Sequence, residues 1–215
     1  MKWQNRTVAV AVGVFGLSLA IAMGGKFVGY YLITTAYEGV SASVKTTNPF
    51  WIHPDHAMAM YSNIMFSREL HAYAQIGYNK ENSRRKNKIR YFYEWSDGYG
   101  HFGRDDWSPG LNPGSYHTYK VLNDAGDSYH NRYYFYVDST CKTTADISLT
   151  PEELNPWVET YFCSTGFGKA HFKYIQYYDP NLYPDPWRYW STHSEKKDCG
   201  YKITVISHYE YKAEK

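Results

Sequence analysis

Leucine is scarce beyond the first segment of this 215-residue chain. After Leu32 only Leu70, Leu111, Leu122, Leu149, Leu154 and Leu182 occur. Charge excess is missing too: 23 basic against 21 acidic side chains give +2, which does not suggest a polyelectrolyte role such as duplex DNA binding. The three cysteines, Cys141, Cys163 and Cys199, form no Cys-x-x-Cys, so neither a zinc ribbon nor a thioredoxin-type redox pair is indicated. His-Glu-x-x-His, Gly-x-Ser-x-Gly and the phosphate-loop pattern are absent. "GFGK" at 166–169 lacks phosphate-loop spacing and reads as a turn. No internal repeat and no heptads are present.

Aromatic residues stand where leucine does not: 24 Tyr, 10 Phe and 7 Trp make up 19% of the chain. Tyrosine and tryptophan bury much area per residue, but each hydroxyl or indole N–H needs a partner or a route to water. They suit half-buried sheet faces.

The N-terminus has a short basic region, Lys2 and Arg6, then an uncharged run from Thr7 to Gly25. This run is slightly long for a signal peptide and slightly short for a spanning helix. After Lys26 an apolar-aromatic stretch resumes, "FVGYYLITTAY", with tyrosines suited to a membrane interface. The expectation is a signal-anchor over 1–36, in the membrane through residues 7–32, with the N-terminus cytoplasmic and the domain outside. The alternative is secretion after cleavage near Ala22. In that oxidising setting a disulfide is expected; Cys141–Cys163 is favoured, with Cys199 as the odd thiol.

Residues 37–56 turn polar and read as a linker, followed by one aromatic-rich extracytoplasmic domain over 57–215. Within it, 57–76 lacks both Pro and Gly, which supports a helix, and it is apolar on nearly every side. Thr150, Pro151 and Glu153 spell a capping box before a second, short helix. "IRYFYEW", "SYHTYKVL" with "YHNRYYFYVD", "AHFKYIQYY" and "YKITVISHYEYK" read as strands, the middle pair as a hairpin. Two helices and about five mostly antiparallel strands give an expected α+β fold.

Several residues are candidates for binding. Trp107, Trp187, Tyr189 and Trp190, with Tyr99 and the acids Asp105 and Asp106, have the chemistry of a glycan cleft. Adjacent aspartates, however, do not by themselves supply the separated pair that glycosidases need. Arg84, Arg85, Lys86 and Lys88 could meet an anionic lipid, a glycan or an acidic partner. His53, His56 and His71 do not share a helical face, so no metal is expected; nor is a cofactor or a nucleic acid. The leading expectation is a non-enzymatic membrane-anchored interaction protein, a subunit of an envelope assembly such as secretion or pilus-like machinery, with other envelope proteins or copies of itself as partners. The alternatives are a glycan-binding or glycan-cleaving domain, and an extracytoplasmic inhibitor or immunity protein.

Overall fold

Aromatic and β-branched residues recur at period two through much of the chain. The computed structural model turns them into fifteen strands and no helix among the described residues, which are 25–48, 57–81, 88–107, 111–123, 131–182 and 184–215. Strands are numbered along the chain. Sheet A runs, in spatial order, β13 (Ser194–Lys197), β1 (Lys26–Ile33), β10 (Glu153–Thr160), β3 (Ala57–Ser67), β4 (Ala72–Glu81), β5 (Ile89–Ser96) and β6 (Phe102–Trp107). Sheet B runs β14 (Lys202–Ser207), β15 (Glu210–Glu214), β11 (Ala170–Tyr178), β2 (Gly39–Lys45), β7 (Tyr116–Asn123), β8 (Arg132–Val137) and β9 (Thr140–Asp146); β12 (Trp187–Tyr189) also pairs with β11.

The sheets stack face to face. Sheet A contributes Val28, Tyr30, Met60, Ile64, Phe66 and Tyr78 to the shared core; sheet B contributes Val40, Tyr119, Val121, Phe135, Phe172 and Tyr211. Rings knit the layers together: Phe66 meets Tyr133 edge-on at 4.8 Å, and Tyr30 meets Tyr211 at 4.3 Å. Most of these tyrosines find hydroxyl partners inside. Tyr78 takes the Thr47 N–H at 2.8 Å and donates to the Lys45 carbonyl at 2.9 Å. Tyr211 donates to the Pro156 carbonyl at 2.7 Å. Pro156 sits in β10, a central strand, where a missing N–H interrupts pairing. The ladder to β1 indeed skips Tyr30 and Tyr31.

The fold is therefore all-β rather than α+β. Residues 57–76 form β3, a turn and the first half of β4 instead of a helix. Strand β3 lies mid-sheet and is buried on both faces, so its apolar run lacks strand alternation and resembles a buried helix. The second expected helix is β10, in which Glu153, Asn155, Trp157 and Glu159 share one face and Leu154 and Val158 the other. Residues 26–33, expected as the outer end of an anchor, are β1, with Val28 and Tyr30 fully buried in the core. No helix among the described residues is long and apolar enough to cross a membrane; the remainder of the expected anchor, 7–24, and the cleavage point at Ala22 lie outside the described residues. The expected linker contains β2, at the centre of sheet B. Cys163 pairs with Cys199, not Cys141, because the turns after β10 and before β14 bring their Cα atoms to 5.2 Å; Cys141 is an exposed free thiol.

Candidate active site

The face of sheet A turned away from sheet B carries a row of polar residues directly opposite one another: Asn155 (β10), Asn63 (β3), Gln75 (β4), Glu94 (β5) and Arg104 (β6). Glu94 and Asn155 have no exposure, and Gln75 has 1%. Groups so desolvated require partners, and two clamps supply most of them. Glu94 takes the Tyr73 hydroxyl, the Gln75 Nε2 at 3.5 Å and the Arg104 Nη1 at 3.0 Å. Arg104 also reaches Asp106 at 3.3 Å, which accepts from Asn79 at 2.9 Å. At the other end, the Asn63 and Asn155 carboxamides meet, Asn155 donates to Glu153, and Glu153 takes Arg68 at 2.6 Å.

Glu159 differs from the other carboxyls on this face. It is 2% exposed and, among the described residues, has no cation in ion-pair contact and accepts only the Tyr61 hydroxyl, at 2.9 Å. Burial pushes its pKa up to about 8, with the charge on Glu94 adding to the rise and Tyr61 and Arg104 opposing it. Glu159 is thus a neutral carboxylic acid at and below neutral pH. Burial, then the adjacent Glu159, hold the Tyr61 phenol well above its ordinary range, so it remains a donor. A Cβ on Gly77 would stand 2.6 Å from the Tyr61 Cβ, so glycine is required where Tyr61 crosses β4.

Among the described residues, four buried polar atoms on this face have no partner: Gln75 Oε1, Arg90 Nε, Trp157 Nε1 and Glu159 Oε1. Gln75 and Trp157 line a cavity of about 160 Å³ with Phe27, Tyr61, Asn63, Met65, Arg68 and His71. An adjoining cavity of about 690 Å³ shares Phe27, Arg68 and Trp157 and extends over Tyr31, Glu153, Lys196 and the Cys163–Cys199 bridge. The small cavity can therefore offer an indole donor and a carboxamide acceptor beside an aromatic wall, with the Glu159 carboxyl one hydrogen bond behind it through Tyr61. Among the described residues no group of three His, Cys, Asp or Glu is placed to hold a metal ion.

The residues singled out from the sequence lie mostly elsewhere. Trp107 stacks on Tyr91 at 5.6 Å, and Trp190 is buried in the core. Trp187 and Tyr189 share β12 on sheet B. Tyr99 is exposed in the β5–β6 turn, Asp105 is exposed on β6, and Lys88 is exposed just before β5. Asp106 does belong to the clamp around Arg104. Arg84, Arg85, Lys86, His53 and His56 lie outside the described residues, while His71 lines the small cavity. Sequence reasoning missed Gln75, Glu94, Glu153, Asn155 and Glu159. The available signal was the alternation Glu-x-Asn-x-Trp-x-Glu over 153–159, which puts four side chains able to hydrogen-bond on one face of a strand.

The two stacked antiparallel sheets form a β-sandwich, an arrangement similar to that of solved glutamic peptidases. The solved structures similar to this chain include scytalido-glutamic peptidase bound to a peptide-based transition-state analogue, with a TM-score of 0.60 at 12% identity, covering 89% of this chain and 98% of that one. SCP-B, a member of the eqolisin family of peptidases in complex with the tripeptide Ala-Ile-His, matches with a TM-score of 0.58 at 12% identity over the same shares. At this identity the likeness is one of fold. No family model and no curated protein matches the sequence.

Proposed function

We propose that this protein is an exported hydrolase acting on polypeptides, with its site on the outer face of sheet A and Glu159 as the acid. The observation that carries the reading is the pair of orphaned polar atoms Gln75 Oε1 and Trp157 Nε1 at the cavity, with the orphaned Glu159 Oε1 behind Tyr61, in a fold that peptidases use. Buried groups left unpaired at a cavity call for a ligand or water. A carboxamide row suits peptide groups, because Gln75 and Asn63 offer the same donors and acceptors as a polypeptide backbone. In this reading Gln75 Oε1 accepts from a substrate N–H and orients the chain. Glu159 gives its Oε1 proton to the amide nitrogen as water adds to the carbonyl carbon and the C–N bond breaks; the resulting carboxylate, still holding the Tyr61 hydrogen bond, takes up the proton that the added water releases and is restored as the acid. Export is supported by the apolar run after Lys2 and Arg6 and by the Cys163–Cys199 bridge, which persists in oxidising compartments.

A second reading, polypeptide binding without cleavage, is favoured by one observation: Glu94 and Glu153 are both tied to arginines, which leaves a single uncommitted carboxyl. The non-enzymatic envelope subunit expected from the sequence finds no support in the structure. Incubating the full-length protein with unfolded polypeptide between pH 3 and 9, with fragments read by mass spectrometry, tests the proposal. Cleavage that disappears in Glu159→Gln and declines as pH passes about 8 is expected. Full cleavage by that variant overturns the assignment of Glu159, and retained binding without cleavage by the wild type selects the second reading.

A further inference from the structure

The outward face of sheet B carries a second site, remote from the polar row because the whole core lies between the two. Lys45 (β2), Lys169 just before β11, and Lys212 (β15) line a cavity of about 290 Å³ with His171, Thr204 and Glu214, near the lower end of the range for small-ligand sites. Register explains the convergence: Lys212 stands opposite both His171 and Thr204. Buried Ala170 and Ala213 complete the lining without filling it.

Three lysines share the cavity with one lining carboxylate, and none of the three makes an ion pair with a described residue. The nearby Glu210 is occupied, since it holds His171 Nε2 at 2.8 Å while His171 Nδ1 meets the Tyr116 hydroxyl at 2.6 Å. Both imidazole nitrogens are thus used to fix Tyr116 at the rim. Lys173 lies 4.0 Å above the Tyr116 ring and 5.0 Å from that of Tyr174. Beyond it, Tyr174, Tyr189 and Tyr209 form an exposed aromatic strip, with ring centroids 6.5 and 4.9 Å apart.

We propose that this face binds an acidic polysaccharide, with a carboxylate or sulfate held among Lys45, Lys169 and Lys212 and neighbouring sugar rings packed on the tyrosine strip. Unpaired lysines on a surface are ordinarily solvated. Here three converge on one cavity with a single carboxylate, Glu214, among its lining residues, and the rings beside them give the C–H faces of a sugar an apolar surface that a lone inorganic anion would not use. A chain-like ligand with alternating charge and ring faces matches both features.

The test is calorimetric titration of the full-length protein with oligogalacturonate, its methyl-esterified neutral form, sodium sulfate and phosphatidylserine vesicles. Oligogalacturonate is expected to bind, more weakly as ionic strength rises and counter-ions screen the lysines, while the neutral form binds at least tenfold more weakly. Lys169→Ser/Lys212→Ser should lose at least tenfold, whereas Lys88→Ser/Lys142→Ser, with the same change in charge, should lose less than twofold. Equal losses in the two variants overturn the site. Sulfate binding as tightly as the oligosaccharide, or vesicles binding without it, overturns the polysaccharide assignment.

Discussion

On its inner face β3 presents Met58, Met60, Ile64 and Phe66; on its outer face it presents Tyr61 and Asn63, buried to the same degree. The inner side chains need only shape, because dispersion and removal from water are not directional. The outer ones sit among Gln75, Glu94, Glu153 and Glu159, where each buried polar atom must be matched in position and charge. The inner face therefore accounts for stability in the ordinary way, while the outer face holds a network that a merely stable sandwich would not require. Two of the atoms that this network leaves unmatched, Gln75 Oε1 and Trp157 Nε1, border the small cavity, where the proposed function places the substrate.

Phe66→Ala should have the largest effect on stability, about 3–5 kcal/mol from lost burial and cavity formation, read as a lower midpoint in thermal denaturation, with outer-face ligand binding intact at low temperature. A loss below 1 kcal/mol would mean that the inner face is loosely packed. Arg104→Met should cost about 3 kcal/mol, since Glu94 then stays buried without its cation. Adding Glu94→Gln should recover most of that loss, and a double variant no better than the single one would refute the electrostatic account. Glu159→Gln should change the pH dependence more than the stability at neutral pH. Its folded pKa of about 8 lies above the ordinary 4.5, so the folded state holds the proton more tightly. That stabilisation is complete below about pH 4.5 and is lost as pH rises through about 8. Denaturation midpoints of the wild type should fall across this window, while those of Glu159→Gln stay flatter. Cys141→Ser should change stability by less than about 0.5 kcal/mol, in contrast to Cys163→Ser, which opens a cross-link spanning 36 residues.

How much of this was legible in the sequence differs from element to element. The hairpin of β7 and β8 and the strands β5 and β11 could be read, because aromatic alternation is a local signal. Strand β3 could not, since burial on both faces erases alternation, and its turn to β4 uses Glu69, Leu70 and His71 rather than Gly or Pro. His71 takes a φ of 53° there, which a sequence pattern does not announce. Thr150, Pro151 and Glu153 imitate a helix start, yet Glu153 serves Arg68 and Asn155. The candidate site was the least legible part. Its residues come from β3, β4, β5, β6 and β10, and only the register of distant strands puts them in one row. The cysteines show the same limit: spacing could not choose among the three pairings, and Cys141 with Cys163 was favoured for the expected helix that its loop would enclose, whereas the partner is decided by which turns meet.

Strand β1 has a consequence for the order of assembly. Its neighbours are β10 and β13, and Val28 pairs with both Val158 and Lys197. A ribosome adding about 5–20 residues per second delivers β3 to β6 as successive hairpins well before either partner of β1 exists. Until β10 arrives, β1 and the open edge of β3 both expose backbone groups and apolar side chains, the arrangement most prone to mispairing. Closing sheet A is therefore a late, non-local event. A chain interrupted before residue 153 should accumulate as an aggregation-prone half-sheet rather than as a smaller folded protein.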